Sequence, residues 1–221
     1  MALLCAVSLA LAAPAARTLS ETDAHTLQPA GAAPSHPRGS LLALWQRYGE
    51  APLADRWAEY AEHYEEHLPA PDGTPIRMLE IGVQSGGGAR LWREWYGDAL
   101  KYVGVDINSL SKRTESPGEN MWVEIGSQSD ERFMTSVCEE HGPFDVIIDD
   151  GGHTASLINA SLNILFPNDS CLTPRGLYIV EDLHTMAMCS NKGARVGRVR
   201  PAMRERVCMG EQRHLKHDVD W

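Results

Sequence analysis

The sequence has five cysteines, Cys5, Cys138, Cys171, Cys189 and Cys208, with no C-x-x-C pair and no Cys/His cluster. That argues against a structural zinc site. No apolar run reaches the roughly 20 residues that a membrane-spanning helix needs. Positive charge is scarce: 20 Lys and Arg stand against 30 Asp and Glu, a net charge of −10. A nucleic-acid partner is therefore not favoured. The dinucleotide fingerprint G-x-G-x-x-G is absent too, because the residue two positions after Gly82 is Gln84. This disfavours an NAD-type oxidoreductase. No internal repeat is visible.

What remains is an ordinary globular composition. The 221 residues are 43% apolar and 23% charged, enough for one domain with a sizeable core. The ends differ from the middle. Residues 1–15 lie in the apolar run "MALLCAVSLALAAPAA", which is similar to a secretory signal peptide with a cut after Ala15. The run lacks a Lys or Arg at its start, so organelle targeting or an unstructured beginning stands as the alternative. Two sequons, Asn159-Ala-Ser and Asn168-Asp-Ser, fit a lumenal route. Secretion is the expected localisation, with an organelle or the cytoplasm as the alternative. One or two disulfides would follow from it, without a pairing that sequence can specify. Residues 16–38 are rich in Ala, Pro, Ser and Thr and read as a linker. Residues 39–190 form the expected domain. Residues 191–221 carry a net +4, the rest −14, so this basic tail is a segment of another kind.

Within the domain, "LADRWAEYAEHYEEHL" places Leu53, Trp57, Tyr60, Tyr64 and Leu68 at helical spacing. A helix packed on the core is expected. Five short β-rich runs follow, at 76–83, 102–108, 121–126, 144–150 and 176–182. Their nearly continuous apolarity fits strands buried on both faces. The predicted fold is α/β: a Rossmann-like, doubly wound, mainly parallel sheet with helices on both faces. Four runs end at acids: Glu80, Asp106, Asp149 with Asp150, and Glu181 with Asp182. Ligands bind beyond the carboxyl ends of strands in such sheets, so these acids converge on one rim.

Two motifs give the rim its chemistry. "LEIGVQSGGGARLW" leaves a strand, passes Gly82, Gly86, Gly87 and Gly88 and enters a helix. Glycines here admit positive φ and close approach of a ligand to the backbone. The pattern Glu-x-Gly-x-x-x-Gly closely resembles the glycine-rich loop of class I S-adenosylmethionine-dependent methyltransferases. Asp106, 24 residues after Gly82, is placed to accept ribose hydroxyls. The second motif joins "FDVIIDDGGHT" to "YIVEDLHT". Asp150, Glu181 and Asp182 are hard oxygen donors of the kind that suit Mg²⁺.

Together "RMLEIGV", "YVGVDI", "GSQSD", "FDVIIDDGGH", "LFP" and "GLYIVEDLHT" resemble the metal-dependent methyltransferases that modify sugar hydroxyls of macrolides. The resemblance covers roughly Leu53 to Thr185. It implies Mg²⁺-assisted methyl transfer from S-adenosylmethionine to a hydroxyl. It makes Glu80, Gly82, Gly86, Asp106, Gln128 and Asp149 cofactor-side residues, with Gln128 near the adenine. It makes Asp150, Glu181 and Asp182 metal ligands and His153 the general base. His184 is a candidate substrate contact. A small-molecule or glycan hydroxyl is the expected acceptor, with no stable membrane span and with homo-oligomerisation left open. After Thr185 the resemblance stops. The strand hairpin that closes such sheets has no counterpart in the sequence, which predicts an exposed edge strand. A catalytically impaired relic or a truncated fragment of such an enzyme is the alternative reading.

Overall fold

The computed structural model describes residues 9–12, 40–49 and 58–183. Among these residues, six strands form one sheet: β1 (Leu9–Ala12), β2 (Ile76–Ile81), β3 (Leu100–Asp106), β4 (Met121–Ile125), β5 (Phe144–Asp149) and β6 (Leu172–Val180). Five helices accompany them: α1 (Leu41–Gly49), α2 (Ala58–His67), α3 (Gly87–Tyr96), α4 (Glu131–His141) and α5 (Ala155–Leu165). The strand order is β1-β6-β5-β2-β3-β4. Strands β2 to β6 are parallel. The chain builds outward from β2 through β3 to β4, then returns to lay β5 against the other side of β2. The crevice between β2 and β5 is therefore the topological switch point, where ligands bind in sheets of this kind.

Alternate strand residues feed two core layers, as a pleated strand requires. Met78, Tyr102, Val146, Ile148 and Ile179 face α1, α2 and α3, meeting Leu41, Leu44, Trp45, Tyr60, Tyr64, Leu91 and Trp92. Leu79, Val103, Ile147, Tyr178 and Val180 face α4 and α5, meeting Met134, Val137, Ile158 and Leu165. The first layer is aromatic. Tyr64 lies 5.8 Å from Trp45 and 5.2 Å from Trp92, ring centre to ring centre. The second layer is mostly aliphatic.

Side-chain caps start α1, α4 and α5. The Ser40 hydroxyl accepts from Ala43 N at 3.1 Å, and the Glu65 carboxylate caps Leu41 N, tying α2 to the first turn of α1. Asp130 caps α4 by accepting from Arg132 N and Phe133 N. Thr154 caps α5 by accepting from Leu157 N, so that helix begins immediately after His153. Cys138 of α4 is bonded to Cys171, just before β6, with a Cα separation of 4.7 Å.

One expectation is corrected. The outer edge of β6 is not left open. Leu9–Ala12 pairs with it antiparallel, from Leu9 opposite Val180 to Ala12 opposite Leu177. A strand edge presents unpaired N–H and C=O groups, and a short apolar extended segment satisfies them. Those four residues belong to the run expected as a secretory leader, and their place in the sheet gives that expectation no support. The helix expected from Leu53 is described only from Ala58, with Tyr60, Tyr64 and Leu68 buried as its stripe required. Leu53, Trp57, His184, the linker and the basic tail lie outside the described residues.

Candidate active site

The loop after β2 is built for close approach. Gly82 has φ 95° and Gly86 has φ 84°, both in the left-handed region. A Cβ on Gly82 would overlap the backbone carbonyl of Asp150, and one on Gly86 the side chain of Thr114. The loop is held from β3. Asp106 accepts from Gln84 N at 2.8 Å through one oxygen and from Asn108 N at 2.8 Å through the other. Ser111 donates to Gln84 O at 2.9 Å. Each carboxylate oxygen of the partly exposed Asp106 keeps a further lone pair for a ligand hydroxyl. Beside it stand Ile107 and Leu110, 77% and 56% exposed. Sequence reasoning passed over both; two large apolar residues just beyond a strand-end acid were the available signal.

Glu80, expected on the cofactor side, is sealed beneath this loop at 1% exposure. Trp92 Nε1 donates to it at 3.2 Å and Tyr102 OH at 2.5 Å. A Cβ on Gly88 would come within 2.6 Å of its Oε1. Its carboxyl packs against Gly88 at the start of α3. This placement has a simple cause. Glu80 lies inside β2, and pairing with β3 and β5 turns its side chain into the aromatic layer.

Asp149 and Gln128, both expected on the cofactor side, lie together. Asp149 is 1% exposed, on the opposite face from Glu80. It accepts from Gln128 Nε2 at 3.1 Å, Tyr178 OH at 3.1 Å and the Ser161 hydroxyl. Burial raises its carboxyl above the usual carboxylate range, against the pull of those donors. Burial and the neighbouring Asp149 likewise raise the Tyr178 phenol. Gln128, expected near an adenine ring, spends its amide within the protein. Its Nε2 reaches Asp149 and Ser161, and its Oε1 accepts from Gly152 N at 2.7 Å. The side chain therefore pins the loop that carries His153.

That loop leaves β5 as Asp150-Gly151-Gly152-His153, and Asp150 N donates to Ile81 O at 2.9 Å. His153 has φ 45°, uncommon for a residue with a side chain. Across the crevice, Asp182 follows β6 with φ 55°. Strain of this kind concentrates at functional sites. These backbones bring Asp150, His153 and Asp182 together, with one ligand atom from each within 4.8 Å of the others. His153 Nε2 lies 3.8 Å from Asp150 Oδ1 and 3.7 Å from Asp182 Oδ2. All three side chains are partly buried. Two carboxylates and an imidazole at this spacing fit a divalent cation, whose charge offsets the two acids.

Glu181, expected as a third oxygen ligand, stands outside this group. It extends the β6 ladder by donating its backbone N–H to Asp149 O at 3.0 Å. Its side chain is 2% exposed and accepts from the Tyr64 hydroxyl on α2. Tyr60, one turn earlier, is hydrogen-bonded to Asp182 Oδ1 at 2.9 Å. Burial and Asp182 both raise the Tyr60 phenol. No sequence signal joined these tyrosines to the acids, since 117 and 122 residues separate the partners.

The parallel sheet, its switch point, the glycine loop and the strand-end Asp106 make this a class I methyltransferase fold. No protein-family model matches the sequence. The chain resembles sugar O-methyltransferases of actinomycetes. It is 34% identical over 142 residues to L-olivosyl-oleandolide 3-O-methyltransferase of Streptomyces antibioticus, covering 60% of this chain and 35% of that protein. It is 33% identical over 172 residues to 8-demethyl-8-(2-methoxy-alpha-L-rhamnosyl)-tetracenomycin-C 3'-O-methyltransferase of Streptomyces olivaceus, covering 73% and 41%. Among solved structures, MycE methyltransferase from the mycinamycin biosynthetic pathway, in complex with Mg and SAH, matches with TM-score 0.62 and 28% identity. That match covers 80% of this chain and 44% of MycE. The chain thus spans about a third to two fifths of the length of the curated relatives it matches.

Proposed function

We propose that the chain is an S-adenosylmethionine-dependent O-methyltransferase, assisted by Mg²⁺, acting on a hydroxyl of a sugar or glycosylated small molecule. One observation carries the reading: the Gly82–Gly86 loop with Asp106 and the Asp150–His153–Asp182 group open on the same crevice. The relatives named above are sugar O-methyltransferases, and MycE was solved with Mg and SAH.

In this reading the Gly82–Gly86 backbone cradles the cofactor, Asp106 accepts from its ribose, and Ile107 and Leu110 offer an apolar surface to its base. The cofactor supplies an already activated methyl group, so the protein's task is in-line positioning. A divalent ion, when bound, supplies Lewis-acid polarisation of the acceptor hydroxyl. Asp150 and Asp182 would hold it. His153 Nε2 has two exclusive roles open to it, since a ligating nitrogen has no lone pair left for a proton. The preference of Mg²⁺ for oxygen leaves Nε2 to take the hydroxyl proton.

Calorimetry with S-adenosylhomocysteine and with NAD tests the cofactor; NAD binding in its place overturns the reading. A transfer assay on rhamnosyl glycosides tests the chemistry. His153→Ala is expected to lower turnover about 100-fold or more while S-adenosylhomocysteine still binds. If Asp150→Asn leaves Mg²⁺ dependence intact, the metal assignment fails. A relic would bind S-adenosylhomocysteine and transfer nothing.

For localisation we propose the secretory route. Cys138 and Cys171 are almost fully buried and bonded, a state that oxidising compartments favour. Of the two sequons, Asn159 lies within α5, whereas Asn168 starts an exposed turn, its Oδ1 accepting from Ser170 N. Mass spectrometry of the protein from a secreting host, before and after glycosidase treatment, tests this; a protein with reduced thiols that stays inside the cell overturns it.

A further inference from the structure

We propose that Tyr60 of α2 is a positioning residue that fixes Asp182 as a metal ligand, an inference that rests on the metal site proposed above. A single hydroxyl engages Asp182 twice. It is 2.9 Å from Asp182 Oδ1, and it accepts from Asp182 N at 3.3 Å. The first bond fixes the carboxylate and the second fixes the backbone. That backbone needs fixing, because φ at Asp182 is 55°, a conformation that residues with side chains rarely adopt without support.

The geometry also selects an oxygen. With Oδ1 committed to Tyr60, Oδ2 is the oxygen turned to His153 Nε2, 3.7 Å away. Tyr60 is itself held firmly. Its ring is 1% exposed within the aromatic layer, so the hydroxyl is a polar tip on an immobile stem. Positions 60 and 64 lie one turn apart on the same face of α2. Tyr64 reaches Glu181 from the next turn and gives the internal comparison, since Glu181 lies outside the ligand group. Outer partners of this kind orient ligands, and losing one weakens metal binding about 10- to 100-fold.

The test is Mn²⁺ binding to the full-length protein, read by electron paramagnetic resonance with Mg²⁺ competition, and requires no turnover. Tyr60→Phe keeps the ring and removes the hydroxyl. Its expected Mn²⁺ affinity falls about 10- to 100-fold, with thermal unfolding of the metal-free protein little changed. Tyr64→Phe is expected to change affinity less than about threefold. An unchanged affinity in Tyr60→Phe, with binding lost in Asp150→Asn, overturns the proposal and leaves the metal site standing. Equal losses in Tyr60→Phe and Tyr64→Phe would trace the effect to a loosened α2 and overturn it as well. Wild-type affinity in both Asp150→Asn and Asp182→Asn would instead overturn the metal site itself, and this proposal with it. Should Tyr60→Phe not fold, Asp182→Glu gives the second test: a carboxylate moved off the Tyr60 hydroxyl loses about 10-fold or more if its position is fixed, and retained affinity overturns the proposal.

Discussion

The loops after β2 and β5 leave adjacent strands at the switch point, yet they work by opposite means. The β2 loop acts through its backbone: Gly82, Gln84 and Gly86 at positive φ, and an acid on the next strand to anchor it. The β5 loop acts through side chains, and its strained residue is a histidine with a full imidazole to place. A backbone site needs room, and glycine provides it locally. A side-chain site needs scaffolding, and for the β5 loop that comes from Gln128, the Asp149 network and the strand that carries Asp182. The loops are not independent, because Gly82 fits only by lying against the Asp150 carbonyl.

Gly82→Ala is the strongest way to break this contrast. The added methyl meets a backbone atom at positive φ, so both loops must move. The expected loss is more than about 4 kcal/mol of stability, with S-adenosylhomocysteine and metal binding lost together. Retention of either, by calorimetry, would show that the loops move separately.

The disulfide braces only the β5–β6 half, so the Cys138→Ala/Cys171→Ala variant tests whether that half depends on it. Its closed loop spans 33 residues, which predicts a loss of about 3 to 4 kcal/mol in urea unfolding. An unchanged midpoint would mean the bond adds nothing to the folded chain. Gln128→Leu is subtler. It leaves the Gly152 amide and the Asp149 carboxylate each short of a partner, which costs about 1 to 3 kcal/mol. Metal affinity should fall while S-adenosylhomocysteine affinity holds; the reverse pattern would return Gln128 to the cofactor side.

The smallest effect concerns a charged pair beside β4, where Glu115 accepts from Val123 N. The Lys112 ammonium beside Glu115 lowers that carboxyl below its usual range. A lowered acid stabilises the fold above its unfolded pKa and loses that contribution as pH falls through its folded one. Glu115 is near the surface, so Glu115→Gln should remove no more than about 0.5 kcal/mol at pH 7, and still less in acid. A loss that grew on acidification would reverse this sign.

The backbone half of the rim was legible in the sequence because its signals are local. Gly82 and Gly86 carry their conformational meaning wherever they occur, and Asp106 ends a recognisable strand. The nearly continuous apolar runs likewise specified a parallel sheet and its rim. The side-chain half was legible as motifs but not as an arrangement. Glu80, Asp149 and Glu181 look like rim acids in a linear reading, but the pleat turns each of them inward to hydroxyl, indole or amide donors. Asp150, His153 and Asp182 became one group through β5–β6 pairing and two uncommon backbone conformations, which no local spacing encodes.

The sequence by itself determined the class of fold, the crevice where chemistry would gather and the residue types that would line it. These follow from strand periodicity, glycine's conformational freedom and chain order. The tertiary structure alone decided which acids face the crevice and which brace it, and that Tyr60 reaches Asp182. It also decided that Leu9–Ala12 covers the edge of β6. Each of those outcomes depends on which groups far apart in the chain meet across the sheet, and a buried carboxylate is tolerated only where donors from elsewhere meet it.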